Sequence, residues 1–182
     1  MTTGTDRPGR RSGPDGGGAA PGNGSVAPEI REEPGIPPAI SAVVPPGHDY
    51  GDVYTLVTPG ASDTSPEEWA RTALDEVAGR KGWFVWRVIL GLRLRRGPSP
   101  DRIAGWRIAE RRDGLVLLEA RSWMITGHIV VHVRGDEVSL ATVVHFERPA
   151  GARVWSALTP LHRRGAPELL RDAHTARLRR GR

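Results

Sequence analysis

The sequence contains no cysteine, and this absence excludes disulfides, thiolate metal ligands and cysteine nucleophiles. It also lacks a run of about 20 apolar residues that could span a bilayer. The best candidate, residues 83–92, is short and carries Arg87. The basic start of the chain has no apolar segment of the kind found in secretory signals. We therefore expect a cytoplasmic protein without stable membrane insertion.

Lysine is almost missing, because every basic side chain except Lys81 is an arginine. The formal net charge of +5 could by itself point to a nucleic-acid partner. However, the arginines are scattered along the chain with acidic residues between them, which is typical of solvated surface side chains. We therefore expect no nucleic-acid partner.

Aromatic residues are absent from residues 1–46, which are instead rich in Gly and Pro. Such a segment has little apolar surface to offset the conformational entropy lost on folding. The sequence therefore predicts a disordered N-terminal tail over residues 1–46. It predicts one folded domain over residues 47–176 and a short basic end over residues 177–182.

The folded part alternates between strand and helix patterns. Ser65-Pro66-Glu67-Glu68 is a strong helix start, because Ser65 and Glu68 can form a capping box and proline is tolerated at the first helical position. A second, largely apolar helix is expected over residues 83–96, either packed under the sheet, or forming a lid over a cavity or a patch that touches a membrane. The remaining predicted elements are strands over 50–58, 103–111, 115–122, 127–134 and 137–146, and a long helix over 151–178.

The last predicted hairpin has a definable register. A two-residue turn at Gly135-Asp136 pairs Arg134 with Glu137 and Val131 with Leu140. The valine and leucine face should then form the core. The other face is more polar and is expected to point away from the core; it carries His128, His132, Ser139, Val143 and His145.

The order of these elements resembles the helix-grip fold of the SRPBCC superfamily, which includes START and Bet v 1-like proteins, and is most similar to the DUF2867 family. Five segments over residues 49–173 carry the resemblance: 49–50, 65–71, 105–107, 117–119 and 155–163. The resemblance implies an α+β fold in which a curved antiparallel β-sheet surrounds a long C-terminal helix, with two short helices after the first strand. It also implies a pocket between sheet and helix, but no established reaction.

The histidines do not form a convincing metal site. His128 and His132 share a strand face but are separated by roughly 13 Å along the strand, at ~3.3 Å per residue. His128 and His145 are closer, yet the sequence offers no third ligand for them. We therefore expect neither a metal nor another cofactor.

His162 is the candidate catalytic residue, since it follows Trp155 by two helical turns and both should lie on one side of the last helix. The alternative is a structural histidine beside Pro160. We expect Glu119 and Arg121 either at the pocket mouth or as an exposed ion pair, and Trp106 and Trp123 either in the core or in a pocket wall. The predicted ligand-binding residues are therefore Trp106, Glu119, Arg121, Trp123, Trp155, Leu158 and His162.

Three functions stay open at this point. The first is binding of a hydrophobic small molecule in a cavity between the sheet and the C-terminal helix. The second is a cyclase, aromatase or hydratase-like enzyme that uses acid–base residues in that cavity. The third is a protein-interaction domain with a filled core.

Overall fold

The computed structural model describes residues 1–2, 28–95, 97 and 99–181. The protein has an α+β fold, in which a curved, seven-stranded antiparallel sheet packs against a long C-terminal helix. The strand order is β1-β2-β7-β6-β5-β4-β3. The strands are β1 (Ile30–Glu32), β2 (Tyr50–Val57), β3 (Arg102–Ile103), β4 (Trp106–Arg112), β5 (Leu115–Arg121), β6 (Ile125–Arg134) and β7 (Glu137–Phe146).

The helices are α1 (Pro38–Ser41), α2 (Pro66–Arg71), α3 (Gly79–Phe84) and α4 (Pro149–Arg180). Two π-helical segments, Thr72–Ala78 and Val85–Ile89, join α2 and α3 into one helical run that ends near Leu90. Gly79 interrupts this run with a φ of 46°, a conformation that glycine adopts without steric cost. None of the helices that the structure describes is long and apolar enough to cross a membrane.

The predicted start of α2 is confirmed in detail. The Ser65 hydroxyl accepts a hydrogen bond from the Glu68 backbone N–H at 3.2 Å, and the Glu68 carboxylate accepts one from the Ser65 N–H at 3.1 Å. This capping box satisfies two donors that a helix start otherwise leaves unpaired. The expected second helix is helical only as far as Ile89. The chain is extended beyond it, and the Arg93 N–H donates to the Arg121 carbonyl at 2.9 Å.

The register of the last hairpin is also confirmed, since Arg134 pairs with Glu137 and Val131 with Leu140. One sheet face, called here the helix face, carries apolar side chains that pack against α2, α4 and the π-helical segments. The expected strand over 103–111 is divided by a tight turn at Ala104-Gly105, both with positive φ. Asp75 accepts a hydrogen bond from the Ala104 N–H at 2.7 Å and thereby ties this turn to the helical run.

The opposite sheet face, called here the outer face, does not point into solvent as expected. It carries Val53, Leu117 and Val130, which are buried beneath Ile40 and Val44 of the N-terminal segment. His128 on the same face is only 1% exposed. The expectation of a solvent-facing polar surface was wrong because apolar residues alternate with the histidines on this face and require a cover of their own.

The residues that cover the outer face lie in the segment that was predicted, from its composition, to be a disordered tail. The strand β1 pairs with β2, α1 buries Ile40 completely, and Val44 is 7% exposed. Residues 28–46 therefore belong to the fold, in contrast to the tail predicted over 1–46. Residues 3–27 lie outside the part of the chain that the structure describes.

The long helix α4 extends beyond its predicted limits, from Pro149 to Arg180. Its first turn is held close to the β5–β6 loop, because a Cβ on Gly151 would lie 2.3 Å from the Met124 carbonyl oxygen. At its other end, Arg177 lies over the Trp69 ring, and its guanidinium donates to Thr64. The expected separate basic end over 177–182 is therefore largely the packed last turn of α4.

Candidate functional site: the cavity between sheet and C-terminal helix

A cavity of about 570 Å³ lies between the helix face of the sheet, the helical run and α4. The sheet contributes Ile129, Leu140 and Val144 to its wall, while the helices contribute Leu158 and Trp86. Its lining is predominantly apolar. The exposed side chains of Lys81, Glu168 and Asp172 mark its open side, which lies between α3 and α4.

One polar cluster lies in the cavity wall. The His162 ring, on α4, lines the cavity and has its Nε2 2.8 Å from the Asp52 Oδ2 on β2. The Tyr50 hydroxyl donates to the same carboxylate oxygen at 2.6 Å. The side chain of Asp52 is only 5% exposed, against 19% for His162. The histidine therefore shields a buried carboxylate and presents its ring to the cavity.

Hydrogen-bond chemistry fixes the roles in this cluster. A carboxylate only accepts hydrogen bonds, so Nε2 of His162 carries the proton and donates it to Asp52. Burial, reinforced by the hydrogen bond to the Asp52 carboxylate, raises the pKa of Tyr50, so its phenol stays protonated and remains a donor. Within the described part of the chain, Nδ1 of His162 makes no hydrogen bond.

Two indole rings add unused polar groups beside the cavity. Trp106 and Trp155 both line it, and each is mostly buried. Neither Nε1 has a hydrogen-bond acceptor among the residues that the structure describes, and Asp52 Oδ1 also lacks a donor there. The Trp155 ring lies 5.3 Å from the His162 ring, centroid to centroid. Unpaired buried polar groups are costly, and those of Trp106 and Trp155 belong to residues of the cavity wall, although both nitrogens are themselves enclosed by protein.

The structure brings four of the seven predicted ligand-binding residues together. Trp106, Trp155, Leu158 and His162 all line the cavity. The alternative for His162, a structural histidine bonded to backbone beside Pro160, is not what the structure has, because its ring nitrogen bonds the Asp52 carboxylate.

The other three predicted residues lie elsewhere. Trp123 is 59% exposed in the β5–β6 loop. Glu119 and Arg121 are on the outer face, where their side chains form an ion pair at 3.1 Å, so the placement at the pocket mouth was wrong. The reason is that successive side chains of a strand point to opposite faces of the sheet. Leu118 faces the helices, so Glu119 and Arg121 both face the other way.

Glu119 is the centre of a polar cluster on the outer face. It accepts hydrogen bonds from Arg107 at 3.0 Å and from Arg121, and its Oε2 lies 3.4 Å from His128 Nε2. Burial opposes ionisation, but the hydrogen bonds from Arg121 and Arg107 outweigh it and hold the pKa of Glu119 below its usual value. Burial likewise lowers the pKa of His128.

This outer cluster is not arranged as a metal centre. The rings of His128 and His145 lie 5.9 Å apart, close to the spacing expected from the strand pattern. Among the described residues, however, no group of three or more His, Cys, Asp or Glu side chains is placed to hold a metal ion. The arginines around Glu119 supply its positive partners instead.

The sequence analysis missed Asp52 and Tyr50. A signal was present, because alternation in β2 places Asp52 on the same face as Tyr54 and Leu56, which are core residues. An acidic residue at an inward-facing strand position needs a buried partner. That partner, His162, lies 110 residues further along the chain, so local patterns could not identify it.

Comparisons with known proteins yield no relative for this chain. No protein-family model matches it, and no curated protein and no solved structure matches it significantly. The resemblance to the DUF2867 family and the SRPBCC superfamily therefore stays a prediction.

Proposed function

We propose that this protein binds a hydrophobic small molecule in the cavity between the sheet and α4. The observation that carries the proposal is the cavity itself, whose volume of about 570 Å³ is that of a small-molecule site. Apolar side chains such as Leu140 and Leu158 form most of the wall, so transfer of an apolar ligand from water would be favourable.

The polar groups of the wall indicate what else the ligand carries. The His162 ring offers a hydrogen-bonding nitrogen, Nδ1, beside an otherwise apolar space. This combination is typical of sites that bind an apolar body and orient it through one or two polar substituents. A mainly hydrocarbon molecule with at least one polar oxygen fits this chemistry best.

The cavity also separates this proposal from the alternative of a protein-interaction domain with a filled core, for which no such space is required. The resemblance to helix-grip proteins, which the element order and the position of α4 support, agrees with a pocket at this location.

Gly165 provides a clean test of the cavity. It lines the cavity from α4, and a Cβ added there would meet no heavy atom within 4 Å. Gly165→Leu should therefore place its side chain in the cavity without a backbone clash. Gly165→Ala is the matched control, because it makes the same change in backbone freedom and adds little volume.

The experiment is native mass spectrometry of the protein purified from its host, followed by extraction and identification of bound molecules. We expect an apolar molecule at near one-to-one stoichiometry on the wild type and on Gly165→Ala, and its loss from Gly165→Leu. The proposal is contradicted if all three proteins carry no ligand, or if Gly165→Leu retains it fully.

A further inference from the structure

The Asp52–His162 pair has a geometry that ligand binding alone does not require. The carboxylate is nearly fully buried behind the ring and receives two donors, Tyr50 Oη at 2.6 Å and His162 Nε2 at 2.8 Å. The histidine stands between this carboxylate and the cavity. A carboxylate that holds one ring nitrogen of a histidine leaves the other nitrogen as the reactive one.

The protonation state of His162 Nδ1 follows from that of Nε2. Because Nε2 donates its proton to Asp52, a neutral His162 ring has its lone pair on Nδ1. Nδ1 makes no hydrogen bond with the residues that the structure describes. A proton taken up at Nδ1 would give an imidazolium, which the Asp52 carboxylate stabilises directly.

From this geometry we infer that His162 is a catalytic general base, with Asp52 as its positioning residue, acting on an apolar ketone or similar carbonyl compound bound in the cavity. The inference rests on the proposed function, since it requires a ligand in the same space. The substrate class follows from the cavity, which supplies an apolar surround and one base, so that an apolar molecule with acidic C–H bonds is the fitting substrate.

The reaction is proton transfer from carbon. The bond between hydrogen and the carbon next to the carbonyl breaks, the proton forms a new bond to His162 Nδ1, and the electron pair moves onto the carbonyl oxygen as an enolate. Return of the proton to carbon regenerates the ketone and the neutral ring, so no other reactant is needed. The Trp155 ring, 5.3 Å from the His162 ring, forms the adjoining part of the cavity wall.

The test uses the full chain and 2-tetralone, a small bicyclic ketone with acidic C–H bonds beside its carbonyl. Binding is followed by the indole N–H signals of the protein, and exchange of the ketone hydrogens for deuterium is followed by NMR in buffered D₂O. We expect the wild type to accelerate exchange, and His162→Gln to lose about 10²-fold or more of that rate, as for other general bases. His132→Gln is the matched control, because it makes the same substitution on the outer face, outside the cavity lining, and should exchange at the wild-type rate.

The variant Asp52→Asn distinguishes a role of Asp52 in positioning the His162 ring from a role in stabilising the fold alone. We expect it to slow exchange while 2-tetralone still binds, and to redistribute the His162 proton between the two ring nitrogens, which the ¹⁵N signals of the ring report. If the Asp52–His162 pair only holds α4 against β2, Asp52→Asn would shift the ¹⁵N signals of the ring without slowing exchange.

The outcomes separate the two proposals. Binding of 2-tetralone without faster exchange in the wild type, or equal exchange in His162→Gln, would overturn the catalytic inference and leave ligand binding intact. Failure of 2-tetralone to bind would overturn the carbonyl substrate class. The proposed function falls only if native mass spectrometry also finds no apolar ligand.

Discussion

The two faces of the sheet are both buried, but they are buried by different partners. The outer face is covered by a short N-terminal segment whose Ile40 and Val44 pack directly onto Val130 and Val143. The helix face is covered by α4 and the helical run, which leave a cavity of about 570 Å³. A short irregular segment can follow the surface of a sheet closely, whereas rigid helices cannot fill every gap beneath them.

Each face also contains a histidine beside a carboxylate, and the difference between these pairs is informative. On the outer face, Glu119 already has Arg107 and Arg121 as partners, and His128 is closed off from solvent. On the helix face, Asp52 has no arginine partner among the residues that the structure describes, and His162 lines the cavity. The same residue types are therefore enclosed by packing on one side and placed beside a cavity on the other.

The largest expected effect comes from removing the cover of the outer face. Deleting residues 1–46 eliminates the contacts of Ile40 and Val44 and the pairing of β1 with β2. We expect the free energy of unfolding to fall by about 3–6 kcal/mol, at about 1.5–3 kcal/mol for each large buried side chain. Denaturant titration measures this, with a deletion of residues 1–27 as the comparison. An unchanged midpoint after the longer deletion would mean that the segment does not stabilise the fold.

Matched truncations on the two faces should differ. Ile40→Ala removes a side chain that is 0% exposed from a filled core, and we expect a cost of about 2–5 kcal/mol. Leu158→Ala should cost less, about 1 kcal/mol, because Leu158 is half-buried and already borders empty space. Urea denaturation of the two variants gives the comparison. Equal costs would argue that the helix face is as tightly filled as the outer face.

The pH dependence of stability should involve histidines on both sides of the sheet, because burial lowers the pKa of His132 on the outer face as well as those of the two histidines that follow. Burial lowers the pKa of His128 and of His174, whose Nε2 lies 2.9 Å from the Thr58 hydroxyl. Below about pH 6.5, these histidines bind protons in the unfolded chain but not in the folded one. The free energy of unfolding therefore falls as the pH falls. His128→Gln and His174→Gln should each make this fall shallower in denaturant titrations at several pH values. A wild-type slope in both variants would show that neither histidine is responsible.

The smallest expected effect is a gain in the stability of the fold. Gly165→Ala should raise the free energy of unfolding by about 0.8–1.0 kcal/mol, since alanine is the better residue within a helix. Gly165→Leu should gain a similar amount, because its side chain enters the cavity rather than a packed core. Thermal unfolding by circular dichroism measures both changes. A clear loss of stability in Gly165→Leu alone would mean that the space beside Gly165 is already filled.

The accuracy of the sequence predictions depended on how local the signal was. The β6–β7 hairpin was predicted to the residue because a two-residue turn and strict alternation fix its register. The N-terminal segment was missed because its average composition concealed Ile36, Ile40 and Val44, which recur every four residues and form the cover. The contact between Asp52 and His162 joins the first long strand to the last helix, and no local pattern encodes it.

Xenon binding in crystals tests the difference between the two faces most directly, because xenon occupies empty apolar cavities and leaves filled cores unlabelled. In protein from which bound ligand has been extracted, we expect xenon on the helix face, between Leu140 and Leu158, in the wild type and in Gly165→Ala, with reduced occupancy in Gly165→Leu. We expect none between Ile40 and Val130 on the outer face. A wild-type crystal without xenon at the helix face, or with xenon only beneath Ile40, would contradict the central claim that the protein has a ligand-sized apolar cavity there.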